Sequence, residues 1–190
     1  MELFVEDKTF EKQDFSQASL PKGDYEYCNF VHCNFSNVHL TGFGFANCTF
    51  QNCNLSMVKT KMTSFQVVNF TACKMLGIHF ENCNQFGLDF KLIDCTMNHS
   101  SFYQVKLKKS IFQNSILKEV DFTEADFSNS QFFNCDFSLA TFPNTVLEKA
   151  DFSSSFNYSI NPTTNKIRKA KFDIAGLPGL LEQFDIIING

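Results

Sequence analysis

Eight cysteines and four histidines are the residues of this 190-residue chain best suited to chemistry. Thiolates and imidazoles together bind zinc, paired thiols form disulfides, and a thiolate activated by a neighbouring base is a nucleophile. Spacing decides among these. Cys28, Cys33, Cys48, Cys53, Cys73, Cys83, Cys95 and Cys135 include no C-x-x-C pair, and the short gaps, Cys28 to Cys33 and Cys48 to Cys53, follow a repeat period. His39 and His79 fall at equivalent places with Lys59 between them, where an ammonium would repel a metal ion, and His32 and His99 stand elsewhere. No Ser/His/Asp set, phosphate-cradling glycine loop or paired-carboxylate motif can be assembled. The expectation is a chain with no catalytic residue, no metal and no cofactor, not an enzyme, whose cysteines are small buried hydrophobes.

The elements that hold these residues follow a period of five. Every fifth residue from Phe10 is large and apolar: Phe10, Phe15, Leu20, Tyr25, Phe30, Phe35, Leu40, Phe45, Phe50, Leu55, and onward to Phe90, with Thr60 and Gln85 as interruptions. The phase then jumps by two and resumes at Met97, Phe102, Leu107 and Phe112, running to Phe152. Two places before each large residue stands a small or β-branched one, and all eight cysteines occupy that place; Phe43 and Leu88 are the large exceptions. Just before the large residue Asp or Asn is frequent, as at Asp14, Asn29, Asn34, Asn54, Asp121, Asp126, Asp136 and Asp151. Neither a helix of period 3.6 nor a flat strand of period 2 produces this. One small and one large residue point inward, three residues point outward, and only stacked units bury the inward pair.

The segments CNF, CNFS, CNLS, VDFTEADFS and CDFS resemble pentapeptide-repeat proteins, over about residues 3–155. The resemblance implies an all-β fold, a right-handed quadrilateral β-helix with four pentads per coil, closed by a short C-terminal helix and strand. Residues 20 apart would then stack, at about 4.8 Å per coil. On this reading residues 1–174 form the β-helix, with a phase break at 91–96 and a loop at 156–165, and residues 175–190 form a capping or dimerisation segment.

Pro178 sits where the first turn of a helix tolerates proline, Leu177, Leu180, Leu181 and Phe184 follow at helical spacing, and Ile186, Ile187 and Ile188 read as a short strand. A solenoid end needs a cap, and an apolar helix on an open end can also pair with its twin. The tail and the SINPTTNKI segment before it are similar to those of the Qnr, MfpA and McbG group, which implies a tail-to-tail homodimer through Leu177, Leu180, Leu181, Phe184, Ile186 and Ile188. That group binds DNA gyrase or topoisomerase IV as a mimic of duplex DNA and protects it from poisons.

Charge meets that reading poorly. The net charge is −4. Residues 1–26 carry seven acids against three bases and residues 119–151 seven against one, while residues 27–80 have no acid and residues 106–118 have four lysines. The candidate partner-binding acids are Glu119, Asp121, Glu124, Asp126, Asp136 and Asp151, with the four aspartates directed to different faces. A scaffold with a non-topoisomerase partner is the alternative, for which outward Phe86, Tyr103 and Phe133 could mark a contact patch. No apolar run approaches the roughly 18 residues of a membrane span, no basic apolar leader opens the chain, and direct nucleic-acid binding is not expected; the expected location is the cytoplasm.

Overall fold

The computed structural model describes residues 3–188. The corner chemistry of each pentad explains the path of the chain. An Asp or Asn before the large residue accepts, on Oδ1, the backbone N–H two residues on: Asp14 from Ser16 at 3.0 Å, Asn34 from Ser36 at 3.1 Å, Asp126 from Ser128 at 3.0 Å, Asp136 from Ser138 at 3.0 Å. This is an Asx turn, and it bends the chain. Two residues past the large one the backbone repeatedly enters the left-handed region, with φ of 54° at His32, 61° at Asn37 and 52° at Asn47. After four such bends the chain lies on its own previous pass.

Four parallel ladders result, one per face. The first face is a four-stranded sheet of Leu3–Glu6, Gly23–Glu26, Gly44–Ala46 and Ser64–Gln66. The second is a seven-stranded sheet of Thr9–Glu11, Asn29–Val31, Thr49–Gln51, Val68–Thr71, Phe90–Ile93, Ile111–Gln113 and Gln131–Phe133, continued by bridges to Asp151 and Lys171. We number the coils by these passes. The third face is the bridge series from Asp14 through Asn34, Asn54, Lys74, Thr96, Ile116 and Asp136 to Phe156, and the fourth includes His39–Lys59 and His79–Ser101–Asp121–Thr141. The fold is therefore the expected β-solenoid.

Inside, rings stack coil upon coil. Phe10, Phe30, Phe50 and Phe70 stack at centroid separations of 4.9, 4.7 and 5.1 Å, and Phe112, Phe132, Phe152 and Phe172 continue the column at 5.1, 4.6 and 5.5 Å. Neighbouring columns meet edge to face, as Phe30 with Phe45 at 5.8 Å. The small inward residues are polar with little penalty, because their hydroxyls and thiols donate to carbonyls, many of them on the coil below: Thr63 to Leu40, Thr145 to Phe122, Ser155 to Phe132, Cys53 to Phe30, Cys73 to Phe50.

The phase break lies earlier than residues 91–96. Asn84 still stacks on Ser64, donating from Nδ2 to its hydroxyl at 3.0 Å, whereas Phe90 already pairs with Val68 and Leu92 with Phe70. The two extra residues therefore enter between Asn84 and Phe90. Leu92, not Phe90, takes the place in the ring column. Gln85, where the large inward residue should be, is exposed, and Phe90 fills the core from a small-residue place. At the bulge the Gln85 amide finds partners that the ring column would not offer, donating from Nε2 to the Phe80 and Cys83 carbonyls at 3.0 and 3.1 Å. In contrast, the stretch 156–165 leaves the register intact: Lys166 pairs with Val146 and Lys171 with Asp151, each 20 residues on.

The tail forms a helix, α1, at Pro178–Leu181, then a 3-10 turn at Glu182–Phe184. Ile186–Ile188, expected as a strand, has no ladder partner among the described residues.

Candidate functional surface

The cysteines are all buried and unbridged. Burial pushes the Cys48 and Cys83 thiols up to about 12 and Cys135 to about 11, which removes thiolate reactivity. Cys33, Cys53, Cys73 and Cys95 share one column, continued by Ser115, Cys135 and Ser155, so serine and cysteine are interchangeable there. Among the described residues no three His, Cys, Asp or Glu side chains gather as a metal site. His39 and Lys59 adjoin on the fourth face, and His79 Nδ1 contacts Glu81 at 2.8 Å.

The six acids do not come together. Asp121 lies on the fourth face, Asp126 on the first with Lys106 and Val146, Asp136 on the third, and Asp151 on the second. Glu119 and Glu124 occupy left-handed corners, with φ of 56° and 57°. Most are engaged locally. Glu119 meets His99 at 3.0 Å, Glu124 accepts from Gln104 at 2.7 Å, Asp126 meets Lys108 at 3.0 Å and Asp151 meets Lys171 at 3.0 Å. Partial burial raises the carboxyls of Asp126, Asp136 and Asp151, but hydrogen bonds from Ser128, Ser138 and Ser153 outweigh it and hold all three below the usual range. These aspartates are first of all turn residues.

The tail residues do converge. Leu177, Phe184, Ile186 and Ile188 are each about half exposed, Leu181 is half-buried, and Leu180 packs on the last core residues. Pro178, Gly179, Leu181, Glu182, Ile186 and Ile188 line a groove of about 340 Å³. Three residues that the sequence pattern did not single out anchor the tail. Tyr158 is buried against the last rings, at 5.7 Å from Phe152 and 5.5 Å from Phe172. Gly176 lies against its hydroxyl and Gly179 against its carbonyl and ring, where no side chain would fit. Ile160 N–H then donates to Gly179 O at 2.9 Å. Burial, then the Asp173 charge, pushes the Tyr158 hydroxyl up. The two glycines of AGLPGLL were the available signal.

The pentapeptide-repeats family matches in eight copies, over residues 28–59 and 100–138. Matching copies flank the bulge, and the four ladders join them into one stack. Both matched stretches are pentapeptide repeats. No curated protein matches it in sequence. Among solved structures, a trypsin-treated variant of QnrB1, a plasmid-mediated fluoroquinolone resistance protein, superposes with a TM-score of 0.62 at 19% identity, covering 99% of this chain and 92% of that one. A second trypsin-treated QnrB1 variant gives 0.50 at 18% identity, covering 99% and 100%. At such identity the likeness is one of fold. No described helix of this pentapeptide-repeat rod is long and apolar enough to cross a membrane.

Proposed function

We propose that the protein is a non-enzymatic binding rod of the cytoplasm. It pairs tail to tail through Leu177, Leu180, Leu181, Phe184, Ile186 and Ile188, and docks on DNA gyrase or topoisomerase IV where duplex DNA would lie, protecting the enzyme from quinolones or peptide poisons. The observation that carries this reading is architectural: a four-sided rod that ends in an exposed apolar segment, with a fold that superposes on that of the fluoroquinolone resistance protein QnrB1. The dispersal of the acids limits how much of the recognition is charge. A partner that grips one face meets only one of Asp121, Asp126, Asp136 and Asp151, so shape carries most of the contact and salt weakens it only modestly.

The test is gyrase supercoiling with and without a quinolone, in the presence of the purified protein. Restored supercoiling in the presence of the drug supports the reading; no effect with either a quinolone or a peptide poison sinks it. The dispersal of Asp121, Asp126, Asp136 and Asp151 over four faces favours a second reading, a scaffold for a non-topoisomerase partner. Capture of a defined partner that binds the rod directly, with gyrase unaffected, would select it.

A further inference from the structure

The first face carries a graded order of side chains. Coil 2 presents Asp24 and Glu26; coil 3 presents Gly44 and Ala46; coil 4 presents Ser64 and Gln66; the bulged coil 5 presents Phe86; and past the interruption of the ladder, coil 6 presents Lys106, Lys108 and Lys109. Asp24 and Glu26 have no ion-pair partner among the described residues, nor have Lys106 and Lys109; Lys108 alone is paired, with Asp126. Phe86 is 81% exposed, the most exposed aromatic side chain described. It stands above Gln66, whose Nε2 donates to the Phe86 carbonyl at 3.4 Å. A shallow hollow of about 300 Å³, centred on Gly44 and Ala46, reaches from Phe4 and Glu26 up to Ser64 and Gln66, with the Asp24 carboxylate lying against Gly44.

Read along the rod, the sequence is acid, small, amide, aromatic, base. The midpoint between the acids of coil 2 and the lysines of coil 6 is coil 4. The midpoint between the hollow at coil 3 and Phe86 at coil 5 is also coil 4. The charge pattern and the shape pattern, which have Asp24 and Glu26 in common, thus share a centre. That is the requirement for a self-complementary two-fold contact, in which each element meets its counterpart on the second copy.

We infer that the first face binds a second copy of this chain, face to face and antiparallel, about a two-fold axis at Ser64 and Gln66. Phe86 of each copy enters the Gly44–Ala46 hollow of the other, and Lys106, Lys108 and Lys109 meet Asp24 and Glu26. Opposed charges lie four coils apart on each rod, about 19 Å at normal strand spacing, so both ends engage together. The strip is small beside the roughly 800 Å² per partner of stable complexes, which makes the contact weak and sensitive to salt. It uses a different surface from the tail. A chain with both contacts therefore assembles beyond a dimer, and its tests separate from those of the tail.

Sedimentation velocity on the full chain over a concentration series, at low and high salt, reads the association. Two variants decide. Asp24→Lys with Glu26→Lys makes the face basic at both ends, and Lys106→Glu with Lys108→Glu makes it acidic at both ends. Each variant alone should lose the concentration-dependent step that high salt also removes. A mixture of the two should regain it, because each basic end then meets an acidic one. Phe86→Asp should lose it with the charges intact, while circular dichroism reports an unchanged fold. A mass that ignores these substitutions and the salt overturns the contact, whatever the tail does. So does a wild-type chain that gains mass only when duplex DNA is added, which would assign the lysines to an anionic polymer instead.

Discussion

Phe132 and Phe184 are the same side chain in two mechanical settings. Phe132 is fully buried between Phe112 at 5.1 Å and Phe152 at 4.6 Å, with Phe137 edge-on at 5.4 Å. Phe184, in the tail, is half exposed and has no ring contact among the described residues. The coils hold their rings by repetition, so each is supported from above and below. The tail is held by one anchor, Tyr158 against two glycines, and leaves its apolar side open. Stability therefore resides in the coils, and the largest unpartnered apolar side chains of the tail lie where the repetition stops.

The largest expected effect breaks that comparison in the coils. Phe132→Ala should cost about 3–5 kcal/mol in chemical denaturation, from lost transfer energy plus the cavity left in a column that cannot collapse. Phe184→Ala should change unfolding by less than about 0.5 kcal/mol, as surface changes do, yet lower the apparent dimer mass in light scattering. Equal losses of stability for the two would mean that the tail is core after all.

Next in size is the anchor itself. Gly179→Ala places a methyl group into the Tyr158 carbonyl, which is backbone and cannot yield, so the helix must lift. A cost of about 1–3 kcal/mol is expected from overpacking. Because the damage is local, the tail should become sensitive to protease while the melting of the coils stays cooperative. A variant whose tail resists proteolysis like the wild type would show that Tyr158 is not the anchor.

The contrast also explains what was legible in the sequence. The period-five pattern gave the core and the inward place of the eight cysteines, because each signal is repeated many times, while the four-sided coil came from the resemblance carried by segments such as CNFS and VDFTEADFS. What failed was local. The bulge was placed at 91–96 because Phe90 keeps the periodic identity, but position 90 does not keep the periodic place; the exposed Gln85 was the true marker. Ile186–Ile188 has strand composition and no edge to join within the described chain, and composition cannot supply an edge. The dispersal of the acids, by contrast, was legible: the period of five directs Asp121, Asp126, Asp136 and Asp151 to different faces, and the bridges place them there. The tail anchor escaped because a glycine is informative only once the atom it makes room for is known.

A smaller effect concerns those acids. The carboxyls of Asp126, Asp136 and Asp151 are held below their unfolded values, so their contribution is present above the unfolded pKa of about 3.9 and lost as pH falls through the folded values. Replacing all three with Asn keeps an acceptor for the Ser128, Ser138 and Ser153 N–H groups but removes the titration. The variant should be less stable than the wild type at neutral pH by on the order of 1 kcal/mol, after discounting for solvent exposure, and the gap should close below about pH 4. Denaturation midpoints across that range measure it; a gap independent of pH would assign the loss to packing and return the aspartates to the list of partner contacts.

The smallest effect sharpens the rule that corners, not faces, store the strain. Val67 holds φ at 55°, a region that β-branched residues avoid. The corner row below it contains Asn47 at 52°, and the next coil offers Gly87 at 69°. Asparagine is tolerated there, and stacked asparagines elsewhere on the rod join directly, as Asn134 Nδ2 donates to Asn114 Oδ1 at 3.1 Å. Val67→Asn should therefore stabilise the protein by about 0.5–1 kcal/mol, part of the left-handed penalty of a residue whose side chain is already exposed and loses little burial. For a chain of this length that is a rise of roughly 1–4 °C in Tm. A fall instead would mean that Val67 contributes packing on the first face that outweighs its strain, which would place it within the contact centred on Ser64 and Gln66.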